Sequence, residues 1–241
     1  MNKDFMDRLV EIAQSVPALI SAFVTNLGKY TEGELTGEWL ALPTTTEKVQ
    51  ECLKRTELDG IRYEEYFITD YETAVDGLYD RLPEYANLDE LNYLAAKLEE
   101  LDSGELEKYG AVLEHDGGYY GGSVKDLINL TENLDCFDYY PDIHSNEDWG
   151  YYLIDELDAL EIPDHVKPYF DYEAYGRDMA INEGGTFTGN GYIIATGDRF
   201  MDEYDGKEVP EEYRVFAYPQ KDIPKYKKSG HEKSQPFRNT R

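Results

Sequence analysis

The chain has 241 residues, with 51 Asp and Glu against 23 Lys and Arg, a net charge of −28 and an isoelectric point near 4.3. A surface of this sign repels phosphates, which argues against direct nucleic-acid binding and disfavours anionic membranes. The hydrophobic fraction of 41% and aromatic fraction of 14% still suffice for a folded core, because each buried aromatic removes a large area from water. No stretch approaches about 20 apolar residues, so no transmembrane helix is expected. Asp4, Asp7, Arg8 and Glu11 interrupt what would be the apolar region of a secretion signal. Cys52 and Cys136 make no disulfide framework, so free thiols and a cytoplasmic location are expected.

In chain order, Phe5, Leu9, Ile12 and Val16 fall at helical spacing over residues 4–16, and Pro17 ends the run. Residues 22–30 and 35–42 read as two strands of a hairpin around Glu32-Gly33. Thr44 to Glu47 fits a capping box, followed by a short helix with Val49, Cys52 and Leu53 on one face. The aromatic-rich residues 61–71 read as a third strand. After Pro83, Asn87 caps a helix with Leu88, Leu91, Leu94, Ala95, Leu98 and Leu101 at period three to four. Ser103-Gly104 breaks it. Residues 105–115 and 123–134 are two further helical stretches, the second capped by Ser123. Gly117-Gly118 and Gly121-Gly122 flank a Tyr119-Tyr120 turn. A weak strand follows at 135–140, then a helix at 146–160 ended by Pro163. The run 171–178 precedes a Gly-rich turn at 184–191 and a strand at 192–196, and residues 214–218 offer a last strand. The predicted division is therefore an N-terminal helical extension (1–20), a first α+β domain (21–85), a helical middle domain (86–131), a third α+β domain (132–205) and a C-terminal extension (206–241).

No pattern for chemistry emerges. His115, His144, His165 and His231 form no HExxH or close pair, and the cysteines form no CxxC, so no metal site of that kind is expected. Asp138, Asp142, Asn146 and Asp148 lack the spacing of a calcium loop. There is no GxGxxG, no phosphate loop and no GxSxG elbow, so no cofactor and no enzymatic activity are expected.

The acid distribution is the informative feature. Residues 57–205 hold 38 acidic and 8 basic side chains, net −30, dispersed between apolar core positions. Solubility needs only about −2 to −8 for a small domain, and self-repulsion at −30 opposes compactness. Duplex DNA carries one charge per about 1.7 Å of axis, so thirty charges at that density would span about 51 Å, roughly 15 base pairs. A carboxylate pairs with Arg much as a phosphate does. A protein that grips DNA by its backbone would not readily tell such a surface from DNA. Residues 219–241 reverse the sign, with seven basic and two acidic residues. That basic tail is expected to be polar and solvated, or to fold back onto the acidic surface.

Specific stretches resemble a known family. Phe23-Val24-Thr25-Asn26-Leu27-Gly28-Lys29-Tyr30, Glu32-Gly33-Glu34-Leu35 and Glu38-Trp39 resemble the opening of the ArdA antirestriction proteins. So do Tyr63-Glu64-Glu65-Tyr66, Thr69-Asp70-Tyr71-Glu72 and Leu88-Asp89-Glu90-Leu91-Asn92, and most distinctively Tyr172-Glu173-Ala174-Tyr175-Gly176-Arg177-Asp178. Gly118-Tyr119-Tyr120, Ser123 and Asp126-Leu127 resemble the family's antirestriction segment loosely, with Gly121-Gly122 and Val124 departing from it. The resemblance implies an elongated α+β chain of three small domains (α/β, mostly helical, α/β), forming a curved acidic DNA mimic and acting as a homodimer. It implies inhibition of type I restriction–modification enzymes through their DNA-binding groove, carriage on mobile genetic elements, and no catalytic residues. The alternative is an acidic binding module for another basic DNA-binding or histone-like protein.

The carboxylates expected to face such a partner come from helix faces and loop tips. They are Asp70, Glu72, Asp76, Asp89, Glu90, Glu99, Glu100, Asp102, Glu105, Glu107, Asp126, Glu132, Asp155, Glu156 and Asp158.

Overall fold

A computed structural model describes residues 18–115 and 120–219. The expected helix at 4–16, the Gly117-Gly118 pair and all but the start of the basic tail lie outside the described residues. The fold is mixed α+β, with seven α-helices and two three-stranded antiparallel sheets among the described residues.

The first sheet has β1 (Ile20–Asn26) between β2 (Gly37–Leu42) and β3 (Tyr66–Thr73). Alternation along β1 puts Ile20, Ala22 and Val24 on the buried face, where Leu40, Leu42, Ile68 and Tyr71 join them. Helix α2 (Thr46–Arg55) adds Val49, Cys52 and Leu53 to this core. The hairpin prediction holds for β1 and β2, but residues 27–31 form a short helix, α1 (Leu27–Thr31), instead of extending the strand. The reason is local: buried Asn26 caps it, its Oδ1 accepting from the Lys29 N–H at 3.0 Å. Helix α2 starts one residue later than expected. Thr45 is its cap, and its hydroxyl makes no capping hydrogen bond.

Three helices follow: α3 (Leu88–Glu99), α4 (Ser103–His115) and α5 (Val124–Thr131). The leucine stripe of α3 is fully buried, and Asn87 Oδ1 accepts from the Asp89 N–H as predicted. Ser123 caps α5 in the same way. The Tyr109 hydroxyl donates to the Leu127 carbonyl at 3.0 Å and ties α4 to α5.

The second sheet orders β4 (Phe137–Tyr140), β6 (Gly191–Ala195) and β5 (Thr186–Thr188). It lies between two clusters of buried side chains. Phe137 and Ile193 belong to the large cluster that runs from Ile20 to Val215. Tyr192 belongs to a smaller one with Ile143, Trp149, Leu153 and Ala180. The latter is closed by α6 (Asn146–Tyr151), which continues as a π-turn at Tyr152–Glu156, and by α7 (Tyr172–Glu183). The predicted helix at 146–160 thus ends early, and Asp158 takes a left-handed conformation at φ 50°.

Residues 214–218 form no strand. Val215 and Phe216 instead donate both backbone N–H groups to Asp89 Oδ1, at 2.7 Å each. They end a strap, residues 200–218, that runs back along α5 and α3. Asn129 and Asn133 each both accept from and donate to its backbone, at Tyr204 and Met201. Asn92 donates to the Tyr213 carbonyl. Tyr204, Val209 and Val215 are buried beneath this strap in the large cluster.

Candidate partner-binding surface

An amphipathic helix turns its apolar stripe inward and leaves its charges in water. Here the charges are overwhelmingly of one sign. The described residues hold 45 Asp and Glu against 14 Lys and Arg. Ion pairs between described residues engage eleven of these carboxylates, so internal cations leave most of the negative field standing.

Of the fifteen carboxylates expected to face a partner, twelve are exposed, while Asp89, Glu90 and Asp126 are half-buried. Among the described residues, Glu72, Glu99, Glu107, Glu156 and Asp158 form no hydrogen bond or ion pair. The others have structural duties. Asp102 and Glu105 form a reciprocal cap at the start of α4, each accepting from the other's N–H at 2.9 Å. Lys97 Nζ gathers Glu100 and Glu132, both at 2.5 Å, joining α3 to the end of α5. These partners hold the Lys97 ammonium above its ordinary range although its burial opposes them. Asp126 pairs with the Ser123 hydroxyl, and Asp155 with Lys167. Asp70 accepts from the Tyr79 hydroxyl at 3.2 Å, which raises that phenol's pKa. Glu90 accepts from the Tyr204 hydroxyl at 2.8 Å, Asp76 from Asn190 Nδ2 at 2.7 Å, and Asp89 from the strap.

Sequence reasoning missed the strap's own acids. Asp202, Glu203, Asp205, Glu208, Glu211 and Glu212 are all exposed, and only the strap's dense spacing of acids announced them. Among the described residues, no group of three or more His, Cys, Asp or Glu converges as metal ligands would, and no helix is long and apolar enough to cross a membrane. Both cysteines are buried. Burial, reinforced by Glu38 and opposed by Arg55, pushes the Cys52 thiol up to about 12. Burial also raises that of Cys136.

The family model for antirestriction protein (ArdA) matches residues 22–194, from β1 through β6. The chain belongs to the ArdA family. Membership implies an antirestriction function and interaction with restriction–modification enzymes. No curated protein matched the chain in a search.

The segments that carry the ArdA resemblance serve mainly to hold the fold. The Tyr63 ring lies over Gly28, where a Cβ would stand 2.5 Å from its Cδ1, and the Tyr63 hydroxyl donates to Glu32 at 2.9 Å. Lys29 pairs with Glu57 at 2.7 Å. The stretch Tyr172–Asp178 forms the first two turns of α7, with Gly176 pressed against α6. The charged surface is built on these supports. The strap lies beyond the matched residues.

Proposed function

We propose that this ArdA-family protein is a DNA mimic that inhibits type I restriction–modification enzymes by occupying their DNA-binding groove. It acts in the cytoplasm as a homodimer of elongated, three-part protomers. The observation that carries this reading is the excess of exposed, uncompensated carboxylates spread over every part of the fold in a member of an antirestriction family. A basic groove that reads phosphates by charge and bidentate hydrogen bonds meets the same groups here. The mechanism is passive: binding releases counterions from both partners and excludes DNA.

Two measurements test it. Restriction of unmodified phage DNA by a type I enzyme should fall when the protein is present. The purified enzyme should bind the protein competitively with duplex DNA, with affinity dropping steeply between low and moderate salt. Simultaneous occupancy by duplex and protein would overturn the proposal. Selective binding to a basic DNA-coating protein would favour the broader role of an acidic binding module.

A further inference from the structure

Among the described residues, two sets of contacts hold the sheet β4–β6–β5 to the rest of the molecule. One is apolar: Phe137 and Ile193 enter the large core while Tyr192, next to Ile193, enters the small one. The other is polar and sits at the tip of the β5–β6 hairpin. There Asn190 Nδ2 donates to Asp76 Oδ2 at 2.7 Å. The Gly189 N–H donates to Glu114 Oε2 at 3.1 Å, and at the far end of β5 His115 Nδ1 lies 2.7 Å from Thr186 Oγ1. The tip is braced from within, since the Tyr139 hydroxyl donates to the Asn190 carbonyl at 2.8 Å. Its receptor is braced too: the Asp76 turn lies on α4, where a Cβ on Gly110 would stand 3.0 Å from the Asp76 carbonyl oxygen. Three separate elements therefore meet here: the turn after β3, the end of α4 and the hairpin tip.

We infer that Asn190 is a positioning residue, and that its bond to Asp76 is a latch fixing the α6–α7 layer, with its acids, at one angle to the acids of the first sheet and α4. This rests on the proposed function. A distributed charge surface fits a groove only if its parts keep their relative placement, and a buried apolar contact at one place alone leaves a pivot. Asp76 then works as the latch's acceptor instead of as a partner contact.

The test is Asn190→Asp, alone and combined with Asp76→Asn. The single change adds a negative charge beside Asp76 and Glu114 and removes the amide donor. Simple charge counting expects N190D to inhibit at least as well as the wild type. The latch expects the opposite: amide exchange over residues 186–190 rises roughly fivefold, and half-inhibition of the restriction enzyme takes roughly fivefold more protein. The double variant restores a donor–acceptor pair and the original net charge, so both readouts should return to wild-type values. Wild-type exchange in N190D would overturn the latch. So would a loosened tip with undiminished inhibition, or a double variant that rescues neither readout. If the wild-type protein itself fails to inhibit or compete with DNA, the proposed function falls, while amide exchange still judges the latch.

Discussion

Gly176 in α7 lies directly against the Asn146 carbonyl in α6: a Cβ at residue 176 would stand 1.9 Å from that oxygen and 2.6 Å from the Gly150 nitrogen. Gly150 reciprocates, its own Cβ position falling 2.1 Å from the Tyr172 carbonyl oxygen. The two helices cross at backbone contact, and only residues without side chains allow it. Gly176→Ala should therefore destabilise the Trp149 core by about 3 kcal/mol, the upper range of overpacking. Alanine's helix propensity returns only about 1 kcal/mol. Gly104→Ala is the control, since its Cβ would meet only Asp102 Oδ1 at 3.5 Å. Thermal unfolding followed by tryptophan fluorescence checks the pair. Equal midpoints in G176A and wild type would contradict the close crossing.

Helix α3 was legible in the sequence because its signals are local: an Asn cap, then leucines at period three to four. Helix α7 was not. Its buried positions are Tyr172, Gly176 and Ala180, and a seam of small residues carries no apolar periodicity. Strand β5, three residues inside a Gly-rich run, hid for a similar reason. The exposure of most candidate carboxylates could be read from their place opposite the leucines. Their private commitments could not. Asp89 meets Val215 from 126 positions away, and Asp76 meets Asn190 from 114. Such pairings depend on the finished topology, and no window of sequence contains both partners.

Asp89 therefore invites a stability test. Its Oδ1 alone accepts from two strap N–H groups, which form no strand pairing among the described residues. Asp89→Ala should cost about 2–3 kcal/mol, because hydrogen bonds to a charged acceptor are lost and donors are left unmet. Asp89→Asn keeps the oxygen and should lose about half as much. Limited proteolysis within residues 200–218 should become faster in D89A than in D89N. Equal rates in D89A and D89N, both faster than wild type, would show that charge, and not the acceptor, holds the strap.

Cys52 predicts a pH dependence. Its thiol ionises near 9.0 when free and near 12 in the fold. Below 9.0 both states hold the proton, and the group contributes no slope. Between 9.0 and 12 the unfolded chain releases its proton first, so stability falls as pH rises. The loss reaches about 3 kcal/mol near pH 11. Buried Tyr71, also raised, adds to the same fall, so the readout is the difference between wild type and Cys52→Ala. Denaturant midpoints measured from pH 8 to 11 should decline less steeply in C52A. Parallel curves would mean that the thiol is already ionisable in the fold.

Five carboxylates have no structural partner among the described residues. Glu72, Glu99, Glu107, Glu156 and Asp158 can be changed to amides without removing a hydrogen bond or ion pair among the described residues. Each exposed charge contributes about 0.4 kcal/mol to a screened encounter with a basic groove, so any single change should alter inhibition by about twofold. All five together should cost on the order of thirtyfold and flatten the salt dependence. Stability should hold or rise, because removing like charges relieves self-repulsion. Neutralising Asp89, Glu90, Asp102 and Glu105 instead should lower the melting temperature, since those groups hold the strap and cap α4. Dose–response curves for restriction inhibition, paired with melting curves, separate the two sets. Loss of all inhibition on one change among the five would mean that a single contact, and not a spread of charge, binds the enzyme.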